Sequence, residues 1–115
     1  MSAAERLFKE VLNRENQEAL EAALDVLNRI MGYSVCSTEV TETKKGYYYN
    51  YMKCRSDYPT SVYLPAAGYR EVADLLIRAG RKLKRIYDEL LEVVKLYEEA
   101  YVKFYRLQES KEEEY

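Results

Sequence analysis

The sequence predicts an α+β fold with an N-terminal helix or helix pair, a three-stranded antiparallel sheet and a long C-terminal heptad helix. Three patterns predict it. Apolar residues recur at helical spacing up to Gly32, and β-branched and aromatic residues alternate with polar ones from Tyr33 to Leu64. A seven-residue apolar repeat then runs from Tyr69 to Leu107.

The chain of 115 residues has the length of one domain with a modest core. It lacks the ~20 consecutive apolar residues of a membrane span and the basic-then-apolar start of a signal peptide. We therefore expect a cytoplasmic protein with a single domain, residues 1–115. Its predicted segments are helical residues 1–32, the sheet 33–64, the long helix 65–110 and a frayed tail 111–115.

The N-terminal segment carries a helix-start signal, because Ser2-Ala3-Ala4-Glu5 matches the S-x-x-E capping box. A second apolar run, from Leu20 to Met31, ends at Gly32, a residue type that readily takes the left-handed C-cap conformation. The sequence leaves open whether the two runs form one helix or break between Asn13 and Asn16, with Asn16 as a candidate N-cap.

A β-hairpin is predicted around Lys44-Lys45-Gly46, which suits a three-residue loop whose final glycine is left-handed. Such a loop places Thr43 opposite Tyr47 and thereby sets the pairing of the two strands. Because side chains alternate between faces, one face of the second strand then carries Tyr47, Tyr49, Tyr51, Lys53 and Arg55. The inward face carries Tyr48, Asn50, Met52 and Cys54, and Val40 joins it from the first strand.

The third strand is predicted at Ser61–Leu64, after a turn at Asp57-Tyr58-Pro59-Thr60. Val62 and Leu64 share one side of this strand and Tyr63 lies on the other. A three-stranded antiparallel meander follows.

The same register places Cys36 directly opposite Cys54. Opposed residues in antiparallel strands lie at a Cα separation of ~4.5–5.5 Å, which is within the disulfide range. The alternative is a pair of buried free thiols, and the sequence does not decide between them. A disulfide in a cytosolic protein would itself point to a hyperthermophilic source.

The long helix cannot bury its whole apolar stripe inside a compact domain, because roughly 40 helical residues at ~1.5 Å each span about 60 Å. Either it breaks, with Gly80 the favoured point, or it packs against copies of itself. We favour self-association into a homodimer or homotetramer. The residues predicted to mediate it are Leu76, Leu83, Ile86, Leu90, Val93, Tyr97 and Phe104.

The charge is strongly uneven although the net charge is only -2. Residues 44–85 hold ten basic and three acidic side chains, a local net charge of +7, and also seven of the thirteen tyrosines. Residues 1–43 and 86–115 have net charges of -4 and -5. Because screening limits electrostatic interaction to ~8–10 Å, the basic middle segment is what an anionic partner would meet.

Several chemistries are not supported by the residues present. There is no histidine, which excludes Ser-His-Asp catalysis and histidine-ligated metal sites, and no glycine-rich phosphate loop. Two cysteines alone do not make a zinc site. We expect no enzymatic activity, no cofactor, no metal and no small-molecule substrate.

Tyrosines interleaved with cations on a sheet are what single-stranded nucleic acid needs, since bases stack on rings while cations follow the phosphates. We therefore expect the protein to bind single-stranded DNA or RNA with little sequence preference. The predicted base-stacking residues are Tyr47, Tyr49, Tyr51 and Tyr63. The predicted phosphate contacts are Lys44, Lys45, Lys53, Arg55, Arg70 and Arg81.

The order of elements, the Tyr47-Tyr48-Tyr49-Asn50-Tyr51 run, Lys53, Arg55 and the heptad helix resemble the ThermoDBP-related single-stranded DNA-binding proteins of thermophilic archaea. This resemblance covers nearly the whole chain in the order of its elements. It implies a non-enzymatic, oligomeric protein of genome maintenance that holds DNA against a small curved sheet, without an OB-fold.

A rival interpretation is an assembly or scaffold subunit whose tyrosine-rich sheet binds protein, for example within a ribonucleoprotein. Tyrosine and arginine are equally common in protein interfaces. The sequence does not distinguish DNA from RNA, or a dimer from a tetramer.

Overall fold

A computed structural model describes Ser2–Glu113, with side chains up to Ser110, and confirms the α+β fold. Two helices come first, and a turn of 3₁₀ helix leads into three strands and one long helix. The elements are α1 (Ala3–Val11), α2 (Arg14–Met31), the 3₁₀ turn (Gly32–Val35), β1 (Cys36–Glu42), β2 (Tyr48–Cys54), β3 (Thr60–Leu64) and α3 (Ala67–Glu113).

The chain divides into two compact units. One combines the residues up to Asp25 with those from Tyr87 onwards, and the other is Val26–Ile86. The first therefore contains α1 and the C-terminal part of α3, and the second contains the sheet and the N-terminal part of α3. Within Ser2–Glu113, no helix has the combination of length and apolarity that crossing a membrane requires.

The N-terminal run does break, and Asn13 rather than Asn16 caps the second helix. The Asn13 side-chain oxygen accepts a hydrogen bond from the Asn16 N–H at 2.8 Å. The Asn16 side-chain amide instead donates to the carbonyls of Glu10 and Val11 at 3.1 and 3.2 Å. A helix leaves its last carbonyls without partners, so Asn16 stabilises the end of α1. At the other end of α1, Ser2 is the N-cap, as the capping box predicted.

The prediction of a left-handed C-cap at Gly32 is wrong. The chain continues from Met31 into the right-handed 3₁₀ turn Gly32–Val35, and Gly46 alone among the described glycines has a positive φ. Because a 3₁₀ turn keeps the helical hand, no left-handed residue is needed there. The turn ends at Cys36, where β1 begins.

The sheet is the predicted meander, with strand order β1-β2-β3. Gly46 has a φ of 82°, and its N–H donates to the Thr43 carbonyl at 3.0 Å. The Thr43 N–H donates to the Tyr47 carbonyl at 2.8 Å. The predicted register is confirmed, since β1 and β2 pair from Cys36 opposite Cys54 to Glu42 opposite Tyr48.

Helix α3 does not break at Gly80 and runs without interruption from Ala67 to Glu113, three residues beyond the predicted end. The part of the predicted tail at positions 114–115 lies outside the described residues. The glycine is needed for packing within the second unit. A Cβ placed on Gly80 would lie 2.6 Å from the Ile30 carbonyl oxygen and 2.9 Å from the Ser34 nitrogen. Only a residue without a side chain lets α3 come this close to the end of α2.

We predict that Gly80→Ala destabilises the protein, although alanine is the better helix former. The methyl group would meet backbone atoms, which cannot rotate away, and overpacking of this kind costs about 1–3 kcal/mol. Chemical denaturation would measure the change in free energy of unfolding.

Gly68→Ala is the matched control, because it lies in the same helix and a Cβ there meets nothing within 4 Å. We expect it to be neutral or stabilising by up to about 1 kcal/mol. Equal stability of the two variants would contradict the packing role of Gly80.

Candidate nucleic-acid interface

The strands bring three tyrosine rings together on one face of the sheet. Tyr51 is paired with Tyr63 across β2 and β3. The Tyr63 ring centroid lies 5.7 Å from that of Tyr51 and 5.9 Å from that of Tyr49, with interplanar angles of 57° and 59°. Aromatic rings attract each other at these distances and tilts, and this attraction helps to hold the three side chains in place. We call this surface, with Tyr47, Lys53 and Arg55, the tyrosine face.

The tyrosine face is displayed rather than packed into a core. Tyr47, Tyr49 and Tyr63 are 61%, 36% and 50% exposed, and Tyr51 is half-buried between its neighbours. Helix α3 hydrogen-bonds to the other face of the sheet, through Thr38 and Asn50. This exposure leaves ring surface available for stacking.

The cations of the tyrosine face are not equivalent. Lys53 forms an ion pair with Glu39 across the β1–β2 ladder, with the ammonium 2.9 Å from the carboxylate. Glu39 therefore offsets one of the predicted phosphate contacts. Arg55 is exposed beyond the end of β2, and Lys44 and Lys45 are exposed in the hairpin loop. Free cations thus lie at both ends of the tyrosine face, Arg55 at one end and Lys44 and Lys45 at the other.

Two predicted phosphate contacts lie away from the tyrosine face. Arg70 donates from Nη1 to Oδ1 of Asn50 at 3.0 Å, and Arg81 donates from Nη2 to the Cys36 carbonyl at 3.1 Å. Asn50 belongs to the opposite face, and Arg81 lies on α3, which packs against that face. The structure therefore does not bring Arg70 and Arg81 together with the tyrosines. Sequence reasoning missed this because charge alone does not show which side of a sheet a helix covers.

The opposite face packs against α3, as its composition predicted. Leu64 and Cys36 are buried, and the Thr38 hydroxyl donates to Asp74 of α3 at 2.8 Å. The inward placement of Tyr48 and Val40 is wrong, since Tyr48 is 68% exposed and Val40 is also exposed.

Cys36 and Cys54 form a disulfide with an S–S distance of 2.00 Å. Of the two alternatives left open by the sequence, the structure has the bonded one. The bond joins β1 to β2 at the ends farthest from the hairpin loop. It therefore holds the register that keeps the tyrosines on one face.

The predicted oligomerisation residues separate into two groups. Leu83 and Phe104 are buried within their own units, and Leu76, Leu90 and Tyr97 are partly buried. Ile86 and Val93 are exposed. Some residues of the apolar stripe are therefore buried inside the chain and others lie on its surface. The periodicity of the sequence does not show which residues belong to which group.

A second tyrosine cluster on α3, Tyr97, Tyr101 and Tyr105, was missed by sequence reasoning, because Tyr97 and Tyr101 fit the apolar repeat and Tyr105 lies outside it. The hydroxyls of Tyr97 and Tyr105 donate to the Val11 and Leu12 carbonyls at 2.8 and 3.0 Å. Burial raises the pKa of Tyr105, and the neighbouring Tyr101 and Tyr97 add to this effect. The i, i+4 spacing of these tyrosines was the available signal, but it did not identify their partners.

No protein-family model matches the chain, and neither the curated proteins nor the solved structures include a significant match. Among the described residues, no cluster of three or more metal-ligating side chains occurs. The candidate site therefore stands on its own geometry.

We predict that the double variant Cys36→Ala/Cys54→Ala is less stable by about 3 kcal/mol, because the disulfide closes a loop with a sequence separation of 18. Denaturation with guanidinium would measure the loss.

A reducing agent should lower the stability of the natural protein by a similar amount and leave the double variant unchanged. Detection of two free thiols in the native, unreduced protein would contradict the disulfide.

We predict that Tyr105→Phe costs about 1 kcal/mol near neutral pH, because the Leu12 carbonyl loses its donor. Tyr58→Phe should cost nothing, since that ring is almost fully exposed.

The natural protein should also lose stability as the pH rises above about 10, where tyrosine ionises in the unfolded chain. The raised pKa of Tyr105 means that the folded state resists this ionisation. Unfolding curves between pH 8 and 11 would show a shallower loss for Tyr105→Phe than for Tyr58→Phe if the interpretation is right, and equal losses if it is not.

Proposed function

We propose that the protein binds single-stranded nucleic acid, DNA in the first place, with little sequence preference through the tyrosine face. The observation that carries this proposal is the cluster formed by the exposed Tyr49 and Tyr63 with the half-buried Tyr51, with free cations at both ends of the tyrosine face. Base-aromatic stacking is worth ~1–3 kcal/mol per base and does not depend on base identity.

The arrangement favours a single strand over a duplex. Bases in a duplex are stacked on one another and offer no free face to a tyrosine ring. A single strand running along β2 could place bases on Tyr47, Tyr49 and Tyr63 while its phosphates meet Lys44 and Lys45 at one end and Arg55 at the other. From Tyr47 to Arg55 such a path is about 26 Å long at ~3.3 Å per residue.

The resemblance to ThermoDBP-related proteins supports the same function. On this proposal the protein is a non-enzymatic factor of genome maintenance in the cytoplasm. RNA remains an alternative ligand, since stacking on tyrosine does not distinguish the sugars.

Binding can be measured by fluorescence polarisation with a labelled dT oligonucleotide and with a duplex of equal length. We expect tighter binding to the single strand, and affinity that falls steeply with salt because phosphate contacts release counterions. Equal and negligible binding of both would contradict the proposal. A matching rU oligonucleotide would compare RNA with DNA.

Tyr49→Ala should weaken binding of the single strand about 5- to 150-fold through the loss of stacking. Tyr48→Ala is the matched control, because Tyr48 is the adjacent, more exposed tyrosine on the other face of the same strand. We expect no loss for Tyr48→Ala.

The cations can be tested in the same titration. Arg55→Ala should reduce the slope of log affinity against log salt by about 0.7, whereas Arg70→Ala should leave it unchanged. Equal effects of Arg55 and Arg70 would contradict the placement of the ligand on the tyrosine face.

The rival function, a scaffold subunit that binds protein through the tyrosine face, is favoured by the Lys53–Glu39 ion pair, which lowers the positive charge of that face. The double variant Tyr49→Ala/Tyr51→Ala distinguishes the two. If the tyrosine face binds nucleic acid, the assembly mass measured by light scattering stays fixed while affinity for the oligonucleotide falls. If the face is an assembly surface, the mass changes.

A further inference from the structure

Helix α1 leaves most of its apolar side uncovered. None of its nine residues is buried, and Leu7 and Val11 are 60% and 57% exposed. A helix this short is not stable in water without tertiary packing. Part of that packing comes from α3, since the Phe8 and Phe104 rings meet edge to face with centroids 6.0 Å apart. The remaining apolar surface has no cover within the first unit.

That surface is concave. Helix α1 and the C-terminal part of α3 enclose a groove of about 620 Å³, whose apolar lining includes Leu7, Phe8, Val11, Ala100, Phe104 and Leu107. Leu107 is 69% exposed although it is one of the heptad residues. Large apolar concavities of this kind on a soluble protein mark interaction sites.

The charges of the groove favour a second copy of this chain as its occupant. Among its lining residues, Glu10 and Lys103 are the charged ones, and they carry opposite charges. In a two-fold interface the same patch meets itself, so a residue that contacts a second one is contacted by it in return. If Glu10 of one protomer pairs with Lys103 of the other, the symmetry makes a second pair of the same kind, so the groove is complementary in charge to a copy of itself. Lys103 now pairs with Glu99 at 3.1 Å, but an exposed pair within one helix is weak and can be exchanged.

We propose that the groove between α1 and the C-terminal part of α3 is a two-fold interface that takes the same groove of a second copy of this chain. Leu7, Val11 and Leu107 form its apolar centre, and reciprocal Glu10–Lys103 pairs set its orientation. This interface differs from the one that the heptad repeat predicts, which uses α3 alone, because it also requires α1. It does not depend on nucleic-acid binding.

The interface is tested by the mass of the intact protein in solution, measured by light scattering after size exclusion over a range of concentrations. The natural protein should have at least the dimer mass of about 27 kDa, twice 13.6 kDa. Val11→Asp should yield monomers. Val102→Asp is the matched control, because Val102 is also exposed but does not line the groove, and it should leave the mass unchanged.

Charge reversal tests the orientation. Glu10→Lys and Lys103→Glu should each weaken dimerisation about tenfold or more, because both reciprocal pairs become like-charged. Mixing the two variants should restore dimers, since each then supplies the charge that the other lacks. Circular dichroism would verify that both variants keep their helices.

A natural protein that remains monomeric at high micromolar concentration would overturn the proposal. So would an assembly that survives Val11→Asp but dissociates in Ile86→Asp, which would assign it to α3 alone. Failure of the mixed charge variants to associate would overturn the Glu10–Lys103 pairing. None of these results bears on the oligonucleotide titration, so the two proposals can fail separately.

Discussion

The hairpin loop at Gly46 is the constraint on which the sheet and its candidate site depend. A left-handed residue at that position allows the three-residue loop, and the loop length determines which residues of β1 and β2 face each other. One residue more or less would exchange the two faces. The disulfide at the far end of the same pair of strands holds the register from the other side. The tyrosines share a face because the strands are held at both ends.

The second constraint is the close approach of α3 to the end of α2 at Gly80. With no side chain there, the helix backbone lies against the carbonyl of Ile30 and the amide of Ser34. The adjoining part of α3 then contacts one side of the sheet, where the Thr38 hydroxyl donates to Asp74 and Arg70 donates to Asn50. The tyrosine face is the other side of the sheet and takes no part in these contacts.

Self-association and ligand binding use separate parts of the chain in this interpretation. The tyrosine face belongs to the Val26–Ile86 unit, and the α1–α3 groove belongs to the other unit. An assembly built through the groove would join several tyrosine faces, and linked weak sites bind a long ligand more tightly than one site does. Non-specific binding of a single strand by a few stacked bases per subunit would gain from such linkage.

The sequence by itself determined the elements that depend on local chemistry. The Ser2 cap, the Gly46 loop, the β1–β2 register and the facing of Cys36 and Cys54 all follow from residue type and spacing over short distances. Tertiary structure decided which surfaces each element covers. Arg70 and Arg81 lie on the side of the sheet opposite the tyrosine face, and Tyr48 is exposed to solvent. Gly80 is a packing contact and not a helix break. The hydroxyls of Tyr97 and Tyr105 donate to the carbonyls of Val11 and Leu12. Periodicity could not predict these outcomes, because a repeat identifies the apolar side of a helix but not the backbone atoms that will lie against it.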